Sequence, residues 1–157
     1  MANPIQPQNF ITGFIDVLKE TFERSQGIYL DPDNSIFETL AHISAEQASR
    51  PVGDRCATIA AQVKHVNFYL EVLEKFMRTG QNERVDWGEI WRNTREVTPE
   101  EWAALQATLN STYQRMLEMI PQLPFWDDPN VVAGCMGLVA HSAYHLGEIR
   151  QACCTVL

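Results

Sequence analysis

No stretch of this 157-residue chain approaches the ~20 uninterrupted apolar residues that a membrane-spanning helix needs, so an integral membrane protein is not expected. Positive charge is scarce. Twelve Lys and Arg stand against 20 Asp and Glu, a net charge of −8, which repels a phosphate backbone and excludes ordinary nucleic-acid binding. Met1–Gln8 lacks a basic segment leading into an apolar run, so no signal peptide is expected and a cytoplasmic protein is. Cysteine is limited to Cys56, Cys135, Cys153 and Cys154, with no C-x-x-C pair. Neighbours on one helix, Cys153 and Cys154 point about 100° apart and do not readily bridge, so reduced thiols in the core are expected. Strand alternation, internal repeats and low-complexity segments are all missing.

What the chain does contain is helical periodicity. Its length suits one domain, residues 1–157, and 45% hydrophobic residues suit an ordinary packed core. Phe10, Phe14, Val17, Leu18 and Phe22 recur at three- and four-residue intervals and predict a first helix from Asn9 to about Tyr29. Asp31-Pro32-Asp33-Asn34 stops it. Ser35 to Leu40 predicts a helical turn, and Ser44-Ala45-Glu46-Gln47 a second one opened by a capping box. A second long helix is predicted from about Cys56 to Arg78, with Ile59, Val63, Val66, Leu70, Leu73 and Met77 as its stripe and Thr79-Gly80 as its end. The connection from Gln81 to Val97 carries Trp87 and Trp91, which points to a loop that packs and lines a pocket. Thr98-Pro99-Glu100-Glu101 opens a third helix that runs to about Ile120, and Asp128-Pro129 opens a fourth that runs to Leu157. That last helix is apolar nearly all round and is expected to be the most buried. The fold class predicted is all-α, a four-helix bundle with one or two long crossings, and the segment between the first two helices permits a crossover.

Chemistry concentrates in the fourth helix, at His141-Ser142-Ala143-Tyr144-His145-Leu146-Gly147-Glu148. At 100° per residue from His141, His145 lies at about +40°, Glu148 at about −20°, Gly137 at about −40° and Gly134 at about +20°. One face thus offers two imidazoles, a carboxylate and two positions without side chains. An i, i+4 pair of histidines delivers two nitrogens to one cation, and a third ligand must come from another helix. His65, in the middle of the second helix, is the natural candidate; His42, in a connector, is the weaker one and is expected to face solvent or to cap a helix. Three histidines leave a position open for water or substrate, as catalytic sites do. All-nitrogen ligation suits zinc or nickel, is compatible with iron and copper, and disfavours magnesium and calcium. Glu148 is then a general base, a further ligand, an acceptor for an imidazole N–H, or an ordinary helix ion pair. Tyr69 and Tyr144, a turn from the histidines, are candidates for donating to a bound oxygen or for core packing. Gly134 and Gly137 ask for a ligand or a close helix beside the histidines.

A mid-helix histidine followed near the C-terminus by H-x-x-x-H-x-G-[QE], here His65 and then His141, His145, Gly147 and Glu148, resembles the DinB-like superfamily of four-helix bundles. The amphipathic first helix, the Ser44–Ala48 connector and the tryptophan-bearing loop extend the likeness over most of the chain. The resemblance implies one divalent metal ion per chain, zinc or nickel, held by His65, His141 and His145, and a homodimer. It also implies a small-molecule substrate, since characterised members include transferases that use low-molecular-weight thiols and a thiol-dependent isomerase, and many others are described only as metal-dependent hydrolases. Glu148 departs from the commoner glutamine and adds negative charge beside the cation, as a candidate catalytic base.

Two functions from different classes follow. The first is a metal-dependent enzyme in which the site activates a thiol or a water, for S-transfer or hydrolysis. Arg55, Lys64 and Arg150 are the cations available to an anionic substrate. The second is a non-catalytic dimeric stress-response or binding protein whose metal is structural, favoured if Glu148 closes the coordination. If His65 instead lies far from His141, no metal site exists at all.

Overall fold

A computed structural model of the chain describes residues 5–53, 56–81, 84–124 and 126–156. It is all-helical, with no strand among those residues. Seven α-helices are described: α1 (Pro7–Phe22), α2 (Ile36–Leu40), α3 (Ala45–Ser49), α4 (Ile59–Thr79), α5 (Glu89–Asn93), α6 (Pro99–Met119) and α7 (Pro129–Val156), with a 3₁₀ turn at Ile120–Gln122. No helix among the described residues is long and apolar enough to cross a membrane.

The local signals behave as their chemistry dictates. Ser35, Ser44 and Thr98 each cap a helix with both halves of a capping box in place, closed by Glu38, Gln47 and Glu101. Thr58 caps α4 by accepting the Ala61 N–H, so the helix begins at Ile59, the first residue of its hydrophobic stripe, three residues later than predicted, and leaves Cys56 outside it. Gly80 ends α4 at φ +67, a backbone state glycine enters without penalty. Asp128 accepts the Asn130 N–H at 2.8 Å at the start of α7. Arg50 reaches from the end of α3 to the Val156 carbonyl at 2.9 Å, satisfying one of the free carbonyls at the end of α7.

The first helix is shorter than its periodicity predicts, ending at Phe22 rather than near Tyr29. The cause is Glu20. Its fully buried carboxylate accepts the backbone N–H groups of Gln26, Gly27, Ile28, Tyr29 and Leu30 at 2.8 to 3.4 Å. A helix continued through this stretch would spend those donors internally; the carboxylate takes them instead and curls the chain back. Burial by itself raises the Glu20 pKa, but the backbone donors together outweigh it and hold the group below its ordinary value.

Packing closes around an aromatic centre. Phe22 of α1 stacks on Tyr113 of α6 with ring centroids 4.7 Å apart, and Phe37 meets both rings. The Tyr113 hydroxyl donates to Glu23 at 2.9 Å. Trp102 buries its indole and donates to the Ile43 carbonyl at 2.7 Å, tying α6 to the connector before α3. Helix α4 packs on α6 and α7, and α7 also packs on α1. Far along α4 and α6, the buried Glu74 takes a two-pronged ion pair from Arg115, with Arg78 as a second cation.

Helix α7 is not buried all round. Met136 is 60% and Tyr144 62% exposed, on a face shared with Ala133, Ala140, Gly147 and Gln151. Its apolar composition therefore reflects a bare outer stripe as well as the core. The cysteines also divide: Cys135 and Cys153 are buried, Cys56 and Cys154 are exposed, and all four are free thiols. Leu157 and Arg55 lie outside the described residues.

Candidate metal centre

Three of the four histidines converge. His65, on the α4 face toward α7, meets His141 and His145, one turn apart on α7, and one ring nitrogen of each lies within 4.8 Å of the others. The ring centroids are 5.1 Å (His65–His141), 4.7 Å (His65–His145) and 4.5 Å (His141–His145) apart. His42 is exposed in the connector between α2 and α3, away from the cluster.

The surroundings decide the protonation of the three rings. His65 is pushed down to about 4, mainly by burial and then by His145. His141 is also pushed down to about 4, by burial and then by the other two imidazoles. Burial lowers His145 as well, partly opposed by the Glu148 carboxylate. All three are neutral near pH 7, the form that offers a lone pair to a cation.

His145 is the most firmly oriented. Its Nδ1 lies 2.6 Å from Gln62 Oε1 and 2.9 Å from Glu148 Oε2. An ionised carboxylate only accepts, so Nδ1 carries the proton, Gln62 presents its oxygen, and the Nε2 lone pair is left free. Glu148 is further engaged through Oε1, which accepts the Tyr144 hydroxyl at 2.8 Å. Tyr144 is therefore a surface group hydrogen-bonded to Glu148, not a core residue. Tyr69 stacks flat on His141, centroids 3.8 Å apart, and Trp91 lies against His65 at 4.4 Å.

The donor set fits a metal ion on an observation independent of spacing. His65 Nδ1 and His141 Nε2 are buried with no hydrogen-bond partner. Buried ring nitrogens left unpaired are costly, and a cation is one group that relieves such a cluster.

Gln62 carried no mark in the sequence. Its signal is positional: it lies three residues before His65, on the same face of α4. The glycines have a milder role than expected, since a Cβ at Gly137 would meet only the Tyr69 hydroxyl at 3.7 Å and one at Gly134 nothing within 4 Å. Of the expected cations, Lys64 lines a separate small cavity with Asn67, Glu71, Asp86 and Glu89. The connector with the two tryptophans does line a pocket, through Trp91, although part of it is the short helix α5.

An all-α chain with a buried three-histidine cluster is the class that fold and site define. Comparisons with protein-family models, with curated proteins and with solved structures gave no match.

Proposed function

We propose that the chain is a divalent-metal-dependent enzyme of the DinB-like kind, with His65, His141 and His145 as the ligands of one zinc or nickel ion. The observation that carries this is the convergence of three neutral imidazoles, two with buried ring nitrogens that nothing else satisfies. When bound there, a divalent cation supplies the Lewis acidity that makes a thiol or a water nucleophilic near neutral pH. The chain's own contribution is to keep the imidazoles uncharged, to fix His145 through Gln62 and Glu148, and to wall the site with Trp91 and Tyr69. Glu148, bonded to His145 Nδ1 and to Tyr144, is available as a base at the rim while its hydrogen bond to His145 orients that ring. Its engagement with Nδ1 favours an open coordination position, and hence catalysis, over a closed structural site.

The architecture is read as a four-helix bundle with its long crossing between α4 and α6, rather than between α1 and α4. Two observations support this. Helix α3 packs on both α4 and α6, with Trp102 bonded next to it, and Glu74 pairs with Arg115 in the last third of each. Helices that start together and stay together run parallel, so the connector returns along a helix of 21 residues, about 30 Å. A homodimer through the uncharged outer stripe of α7 is the assembly proposed, because Met136 and Tyr144 stand well exposed on it. Light scattering on Met136→Glu is expected to give monomer where the wild type gives dimer; a monomeric wild type removes the assembly from the proposal.

Elemental analysis of tag-free protein tests the metal. Wild type is expected to carry about one zinc or nickel per chain, and His65→Ala and His141→Ala to carry little. Wild type that stays metal-free after incubation with both ions overturns the proposal. Thiol-transfer and hydrolysis assays on the loaded protein then separate the two chemistries.

A further inference from the structure

Two cavities flank the histidine cluster and meet at Cys56 and Ala57. The smaller, about 460 Å³, has Gln62, Tyr144 and Glu148 in its wall, the groups already committed to His145 and to one another. The larger, about 600 Å³, differs in what it leaves unspent. Its wall includes Thr58, Trp91, Thr94, Arg95 and Glu96. Trp91 joins it to the cluster, since the same indole lies 4.4 Å from His65.

Two groups in that wall lack partners. Thr94 is only 8% exposed, and its Oγ1 is buried without a hydrogen bond. A hydroxyl in that state has a hydrogen to give, and a turn about χ1 toward the cavity would bring it to an acceptor held there. Arg95 follows it directly. The guanidinium groups of Arg50, Arg78, Arg92 and Arg115 each hold a carboxylate, whereas Arg95, like Arg24, Arg84 and Arg150, holds none among the described residues. In a chain of net charge −8, Arg95 puts a positive group on the wall of this cavity, next in sequence to the Thr94 hydroxyl.

We propose that the larger cavity seats the carboxylate of a small acidic substrate, held by Arg95 and by a hydrogen bond from Thr94, with the rest of the molecule running past Trp91 toward the histidines. One planar guanidinium matches one carboxylate in geometry and charge, while a phosphate dianion beside Glu96 would need a second cation, and the described residues of the wall supply none. The reacting end of the substrate rests on the metal-centre reading above; the carboxylate seat rests on Thr94 and Arg95 alone.

Calorimetric titration separates the two. Zinc-loaded full-length chain is titrated with 3-mercaptopropionate and with 3-mercaptopropionamide, which share the thiol and its distance from the end group. The acid is expected to bind about five- to tenfold more tightly, the size of one partly exposed charge pair. Arg95→Gln is expected to bring the acid down to the amide, and Thr94→Val to weaken the acid alone, both with unchanged zinc content. Equal binding of acid and amide to wild type, or a preference that survives Arg95→Gln, overturns the seat. If the chain takes up no metal, propionate and propionamide are compared on the metal-free protein. A preference for propionate that Arg95→Gln abolishes then supports the seat while the metal centre falls; no preference, or no binding of either, overturns the seat too.

Discussion

Gln62 is the residue on which the orientation of His145 turns. The Nδ1–H of that ring is divided between a buried amide oxygen and a half-buried carboxylate, and the amide is the nearer at 2.6 Å. Replacing it with leucine keeps the volume and removes the acceptor. Gln62→Leu is expected to weaken zinc affinity by about 10- to 100-fold, read by competition with a chromogenic chelator, with helicity unchanged. An affinity equal to wild type would mean that Glu148 alone holds the ring. Glu20 is the corresponding residue for the fold. Gln in its place keeps one acceptor oxygen but loses the charge that five backbone donors converge on. Glu20→Gln is expected to cost about 2–4 kcal/mol in urea unfolding, since buried donors are left under-satisfied.

At the scale of elements, α4 and α6 are joined deep in their length by Glu74 and Arg115. Hydrogen bonding and charge from Arg115, followed by those from Arg78, hold the Glu74 carboxyl below its ordinary value against the effect of burial. Glu20 and Glu38 are likewise held low, in their case by backbone and hydroxyl donors that outweigh burial. A carboxyl depressed in the folded state contributes stability that is present above its unfolded pKa, near 4.5, and is lost as pH falls through the lower folded value. Below about pH 6.5 the unfolded chain protonates imidazoles that the fold keeps neutral, so stability is expected to start falling there and to fall more steeply below about 4.5, where the carboxyls add their loss. Arg115→Met should make the acid-side loss shallower and cost about 1–2 kcal/mol at pH 7, a modest figure because the arginine is partly in water. Urea titrations at several pH values read both effects; a slope unchanged by Arg115→Met would show that Arg78 alone sets Glu74.

For the whole molecule, binding at the cluster is linked to folding. Zinc held by the native chain and not by the unfolded one stabilises by about 2.7 kcal/mol at a hundredfold excess over its dissociation constant. The melting temperature is expected to rise on zinc addition, to return on chelation, and to be indifferent to zinc in His141→Ala. Scanning calorimetry checks all three, and a zinc-induced rise that persists in His141→Ala would locate the ion elsewhere.

Much of this was legible in the chain before any tertiary structure, because it depends on neighbours within one turn. The capping boxes at Ser44 and Thr98, the glycine end at Gly80 and the His141/His145 pair are local chemistry, decided by residues three or four apart. Other features were not legible, since they depend on what a side chain meets across space. That Glu20 ends α1 by gathering donors from residues 26–30 needs the loop to return upon it. That α7 keeps one apolar face bare needs the positions of α1 and α4. His65 was legible as the candidate third ligand from its mid-helix place, but its meeting with His141 and His145, the two acceptors of His145 and the lack of one at Thr94 were decided by packing. A sequence sets which side chains share a face of a helix; only the packing of one helix on another sets which faces meet.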